Sequence, residues 1–227
     1  MKRILIIAAH PDDETLGCGG LISKYQQRDV EFKVLFLGEG STCRFSDPSD
    51  VEALVAIEVR TKSARLAMGF LGIQDFEFHN LPCGRFDQVP IIIVNKIIED
   101  VIRDFEPDTV FTHSPNDANN DHKIVFNSTL MATRPGAKNH VNRLLSYEVL
   151  SSSEWSYTNI FTPNYFEEIS EEDLSRKWHT LSLYDGEMRS YPFPRSNEGV
   201  RALSMVRGMQ AGVPYAEAFH LVREFKK

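Results

Sequence analysis

Residues 3–20, RILIIAAHPDDETLGCGG, pass from a short apolar run straight into His10, Asp12, Asp13 and Glu14. A β-branched run of this kind forms a strand buried on both faces. Three acids and an imidazole at its end repel one another or lose solvation, unless exposure or a bound cation offsets the charge. The apolar part, residues 4–9, is too short for a secretory leader and enters charge directly, so we read it as a first strand.

The alternation continues along the chain. The spacing predicts a helix over 14–29, a strand over 30–38 and a long helix over 47–72, with Asp50 at its N-cap and Gly69 or Gly72 near its end. A strand over 75–81, a helix halted before Pro107, a strand over 108–114, a helix over 120–134 and a strand over 143–151 follow. This pattern defines an α/β fold with a mostly parallel sheet and helices on both faces. Ligands bind such sheets beyond the carboxyl ends of the strands. The HPDDE loop lies there after the first strand, and THSPNDANNDH, residues 112–122, lies there after the fourth. Two acid- and His-rich loops on one edge are harder to attribute to accident than one.

Beyond residue 151 the pattern weakens. Helices are expected over 170–184, with a Ser170–Asp173 capping box, and over 197–212, ended by Gly212. With no linker or repeat to divide the chain, we treat 1–227 as one domain, with 151–227 as an extension covering the site. Gly17, Gly19 and Gly20 do not make a dinucleotide loop, because G-x-G-x-x-G needs glycine at 22, where Ile22 stands. Close helix packing explains them better.

Net charge is −7, which argues against nucleic-acid backbone binding, and no apolar run has membrane-spanning length. Cys18, Cys43 and Cys83 are odd in number and form no CxxC, which suits reduced thiols and a cytoplasmic location. Cys18 is expected to be a small buried residue, and His79, His140, His179 and His220 to be structural or surface residues.

A catalytic zinc takes three protein ligands and keeps a position for water. His10, Asp13 and one histidine of the second loop meet that need; His122, opening a helix, is a better candidate than His113 at a strand end. Asp12 diverges from its neighbour Asp13 and can serve as base to a water. Asp121 is placed to orient an imidazole, and Glu14 to meet the dipole of the helix it enters.

AHPDDE after the first strand, with the later D-x-x-x-D-H of Asp117 to His122, resembles the PIG-L/LmbE-like family of zinc-dependent N-acetyl-sugar deacetylases. VRTKSARLAMGFLG, KWHTLSLYDGE and PRSNEGVRALSMVRGMQAGVPYAEAF extend the likeness over most of the chain. The resemblance implies a Rossmann-like fold and hydrolysis of an N-acetyl group from an amino sugar, free, conjugated or nucleotide-linked. It implies zinc, or iron(II) in its place, on His10, Asp13 and His122, with Asp12 as general base. It also implies that Arg60 contacts substrate; Arg44 and His113 join it as candidates. Family relatives are often homo-oligomers.

Two positions depart from the family pattern. Asn119 stands where many relatives carry a histidine, and an amide donates to an oxyanion but is no acid near neutral pH. Ser63 replaces a helix glutamate. Two rival readings follow: a sugar-binding homologue with reduced catalysis, and an iron oxygenase built on two histidines and one carboxylate. The second leaves Asp12 without a task.

Overall fold

The computed structural model describes residues 1–26, 28–137 and 141–226. Strands β1 (Arg3–Ala8), β2 (Glu31–Gly38), β3 (Asp75–Leu81), β4 (Thr109–His113) and β5 (Arg143–Tyr147) alternate with helices α1 (Asp13–Tyr25), α2 (Val51–Leu71), α3 (Ile91–Phe105) and α4 (Asn120–Ala132). Then come β6 (Tyr165–Glu168), α5 (Glu171–Leu181), α6 (Asn197–Ala211) and β7 (Ala216–Glu224). The seven strands form one sheet in the order β3-β2-β1-β4-β5-β7-β6. β1 to β5 run parallel, while β7 pairs antiparallel with both β5 and β6. The expected α/β class, a mostly parallel sheet flanked by helices, is therefore the observed one.

β1 shows why the sheet is buried on both faces. Ile4, Ile6 and Ala8 join a core with residues of α1, α2 and α5. Leu5, Ile7 and Ala9 point the other way, into a core with α3 and α4. Period-two alternation along a run that is apolar throughout produces both contacts.

β6 and β7 were not expected. Within β7, buried Glu217 sits among Ala216, Ala218 and Phe219 and breaks the apolar signature of an inner strand. The strand expected over 143–151 stops at Tyr147, and the backbone has turned by Ser151, whose φ is 66°. The Ser170–Asp173 capping box forms in full, whereas Asp50 occupies its N-cap position without a side-chain bond. Cys18 is buried, His79 and His179 are exposed and His220 is partly so; His140 lies outside the described residues. Among the described residues no helix is long and apolar enough to cross a membrane.

α1 lies close against its neighbours through glycine. A Cβ on Gly17 would come within 2.3 Å of the ring of Tyr147, a fully buried side chain whose hydroxyl donates to Ile7 O at 2.7 Å. Gly17→Ala gains helix propensity of about 1 kcal/mol but overpacks a core, at about 1–3 kcal/mol. We expect a lower midpoint in thermal unfolding; an unchanged or raised midpoint would show that the Tyr147 ring slides aside.

Candidate active site

Two loops at the carboxyl edge of the parallel strands build the site. In the first, β1 gives way to a turn in which Asp13 N–H donates to His10 O at 3.3 Å and Asp13 Oδ2 accepts from His10 N–H at 2.8 Å. Asp12 precedes α1 with φ at 118°, a conformation L-residues rarely adopt, and its carbonyl accepts from Leu16 N–H at 2.8 Å. In the second loop, Asn119 caps α4 by accepting from Asp121 N–H at 2.9 Å, which sets His122 in the first turn.

The loops bring His10, Asp13 and His122 together. One ligand atom from each lies within 4.8 Å of the others, and all three residues are buried. His10 Nδ1 is 3.6 Å and His122 Nε2 3.4 Å from Asp13 Oδ2. His122 Nε2 is buried without a hydrogen bond, a costly state for a polar atom. Behind each imidazole stands a carboxylate: Asp121 Oδ2 lies 3.0 Å from His10 Nε2, and Asp117 Oδ1 lies 3.2 Å from His122 Nδ1. Asp121 is itself fixed by N–H groups of Gly84 at 2.6 Å and Phe86 at 3.2 Å. Two imidazoles and one carboxylate, backed by further carboxylates, fit a zinc-type cation.

The electrostatics agree. Burial alone would raise Asp13, yet His122, His113 and His10 hold its carboxyl well below the usual range. Burial would lower both imidazoles, but Asp121 and Asp13 carry His10 up to about 9, and Asp13 and Asp117 carry His122 up to about 10. The carboxylates thus draw positive charge into the cluster, and protons compete with a divalent ion for that place.

A cavity of about 510 Å³ opens over these groups. Among residues singled out in the sequence, His10, Asp13, His122, Asp12, Asn119, Arg60 and Arg44 line it. His113 and Asp121 do not. His113 is fully buried, stacks on His122 at 3.9 Å between ring centres and accepts from Ala9 N–H at 2.9 Å. Burial and the adjacent His122 push it well below the ordinary imidazole value. Its Nε2 lies 3.4 Å from Asp13 Oδ2 on the side away from the cavity, instead of facing the cavity as a substrate contact would. Glu14 is also buried, accepting from Asp12 N–H at 3.0 Å and from Tyr184 Oη at 2.6 Å; burial pushes it up to about 7.

Asp12 is 1% exposed and lies beside the cluster. Its Oδ2 accepts from Arg60 Nη2 at 3.1 Å and from Arg195 Nη1 at 2.5 Å. Burial raises its carboxyl, and Arg195 and Arg60 only partly reverse that. Glu187 is a residue sequence reasoning missed; Arg195 reads from the sequence as one half of a salt bridge, but its partner, Asp12, does not. Glu187, buried in the turn after α5, pairs with Arg60, with Arg44 at 2.7 Å and with Arg195 at 3.4 Å. No periodicity marks either residue; their only signal is that KWHTLSLYDGE and PRSNEG lie within the stretches that resemble the family.

Fold and site together define an α/β chain with a His–Asp–His cluster and an adjacent buried carboxylate at the strand-end edge. This chain belongs to the PIG-L family, whose model, described as GlcNAc-PI de-N-acetylase, matches residues 5–133. It is 27% identical over 188 residues to the uncharacterized deacetylase YaiS of Escherichia coli (strain K12), covering 81% of this chain and 90% of that protein. It is 25% identical to diacetylchitobiose deacetylase of Thermococcus kodakarensis, covering 98% of this chain and 84% of that one. The fold also matches the solved structure of GalB, the 4-carboxy-2-hydroxymuconate hydratase from Pseudomonas putida KT2440, with a TM-score of 0.78 at 21% identity, over 100% of this chain and 98% of that one. That likeness concerns the fold alone, which hosts more than one chemistry.

Proposed function

We propose that this chain is a metal-dependent hydrolase that removes the N-acetyl group from an amino sugar or sugar conjugate, giving the free amine and acetate. The observation that carries the reading is the buried, unpartnered His122 Nε2 facing Asp13 and His10, with Asp12 alongside. Membership of the PIG-L family and the deacetylase relatives support the same reaction.

His10, Asp13 and His122 would hold zinc, or iron(II) in its place. Bound there, the ion supplies a Lewis acid for the acetamide carbonyl and lowers the pKa of a water. Asp117 and Asp121 keep the two imidazoles oriented. Asp12 takes the proton of the attacking water, with Arg60 and Arg195 fixing its carboxylate. Because Asn119 spends its carbonyl oxygen on the helix cap, its amide nitrogen is the end left to donate to the tetrahedral oxyanion. An amide has no acidic proton to give, so Asp12 returns one to the leaving nitrogen. Arg44, at the cavity wall beside Glu187, suits sugar or phosphate oxygens.

The test is mass spectrometry of products from a panel of acetylated amino sugars, including nucleotide-linked ones, with acetate assayed in parallel. Loss of one acetyl unit matched by acetate is expected, abolished by chelation and restored by zinc or iron(II). No acetyl loss from any member at full metal occupancy overturns the reading, and binding without turnover would favour the sugar-binding alternative.

Arg195→Ala removes the guanidinium that most lowers the Asp12 carboxyl. The base works deprotonated, so a higher Asp12 pKa requires a higher pH to ionise it. We expect the acidic limb of the kcat/KM profile to move to higher pH; an unmoved limb would dissociate Asp12 from that ionisation.

A further inference from the structure

Cys43 and Cys83 have no task in the reaction above, yet they face each other in the cavity wall. Their Sγ atoms are 3.0 Å apart, although the residues come from the loops after β2 and β3. One buried carboxylate holds both loops. Glu39 accepts from the N–H groups of Ser41 at 2.5 Å and Thr42 at 3.0 Å in the first loop, and from Cys83 N–H at 2.7 Å in the second. It also accepts from the Thr42 hydroxyl. The thiols are therefore set by a shared backbone clamp and do not merely drift together.

A third group completes the arrangement. Ligand atoms of Cys83, His10 and Asp121 lie within 4.8 Å of one another, the same closeness as in the His10–Asp13–His122 cluster. The two clusters share His10, whose ring presents different nitrogens: Nδ1 lies toward Asp13 and Nε2 toward Asp121. Cys83, His10 and Asp121 supply a sulfur, an imidazole nitrogen and a carboxylate, and Cys43 adds a second sulfur beside Cys83, a donor set for zinc or cadmium and a poor one for magnesium or calcium.

We propose that Cys43, Cys83 and the Nε2 face of His10, with Asp121 at hand, form a second site for a thiophilic divalent cation, and that filling it releases His10 from Asp121. On binding, each cysteine loses its thiol proton to solvent and forms a sulfur–metal bond, and His10, engaged through Nδ1 at the first cluster, gives up its Nε2 proton by way of Asp121 to solvent as Nε2 turns to the second ion; no oxidant is needed. The occupied site places a second dication one imidazole width from the first and withdraws the carboxylate that orients His10. Excess thiophilic metal therefore slows turnover, while one equivalent supports it. The binding itself does not depend on the reaction being a deacetylation.

The experiment titrates the reduced protein, first loaded with one equivalent of zinc, with cadmium. Equilibrium dialysis counts bound ions, and ultraviolet thiolate-to-cadmium absorption reports sulfur coordination. Acetate release is followed in the same samples, each protein being referred to its own one-equivalent rate. The expected result is a further equivalent bound with thiolate absorption and a falling rate. In Cys43→Ser/Cys83→Ser, that equivalent should bind at least about tenfold more weakly, the absorption should vanish, and inhibition should need correspondingly more cadmium. Absence of thiolate absorption in the parent protein, or its persistence in the double variant, overturns the site. Thiolate binding with an undiminished rate overturns the coupling to His10. If the chain releases no acetate from any sugar, dialysis and absorption still decide the site, so the two failures are distinguishable.

Discussion

Asp12→Asn is expected to lower acetate release by about 10²–10⁴-fold, the usual contribution of a positioned general base, while bound metal stays at the parent level. The substitution is nearly isosteric, and its backbone demand is unusually easy to meet. Asp12 sits at φ 118°, a conformation costing most L-residues about 1–3 kcal/mol. Asn is among the few non-glycine residues that tolerate positive φ, so the turn into α1 should survive. Asp13, which follows it, keeps its own bond to His10 N–H, and the cluster needs nothing from the Asp12 carboxylate. Arg60 and Arg195 retain Glu187 as an acidic partner. What disappears is the buried carboxylate beside the cluster that, in the proposed reaction, takes the proton from water. Steady-state kinetics with metal quantified on the same preparation check this: kcat should collapse with KM little changed. Turnover near the parent rate with full metal content would remove Asp12 as the base. A variant that loses metal as well would instead place Asp12 in the cation's support.

The parallel part of the fold was legible because its inner strands are buried on both faces and read as apolar runs, as residues 4–9 show. The strand-end rule then brought His10, Asp13 and His122 to one edge from loops more than a hundred residues apart, and the structure does bring them together. The other wall of the cavity was not legible. Arg195 reaches Asp12 across 183 residues of sequence, from a segment of turns between α5 and α6 with no repeating pattern. Its value lies in a long-range pairing that local spacing cannot encode. Glu187 is hidden for the same reason: an isolated acid in a turn reads as solvated, and only the three arginines folded around it account for its burial. His113 shows the reverse error, since a chemistry-bearing residue at a strand end suggested the cavity, yet its ring turns inward to Ala9 N–H and Tyr147.

Glu217 illustrates how a buried charge both conceals a strand and fixes the site's helix, and Glu217→Ala carries the largest stability effect we expect. Its Oε1 accepts from Gly20 N–H at 2.8 Å and its Oε2 from Leu21 N–H at 2.6 Å, both in α1. Lys177 of α5 donates to Glu217 Oε1 at 2.6 Å and to Leu16 O at 2.7 Å, and both charged side chains are at most 5% exposed. The approach depends on Gly19 and Gly20, where a Cβ would meet Lys177 and the Glu217 carboxylate. Removing the acid strands the Lys177 ammonium in the interior, a loss of roughly 3–5 kcal/mol. At about 2–4 °C per kcal/mol for a chain of this size, the thermal midpoint should fall by on the order of ten degrees. Lys177→Met/Glu217→Gln removes the unpaired charge and keeps an acceptor for α1, so it should be far less destabilised than Glu217→Ala. Equal losses in the two would mean that backbone bonding, not the stranded ammonium, dominates. A shift below about 2 °C in Glu217→Ala would mean that water reaches Lys177. Because α1 opens with Asp13, the same clamp that steadies this helix also sets the carboxylate at the centre of the cluster, so metal retention on heating should fall in step with the midpoint.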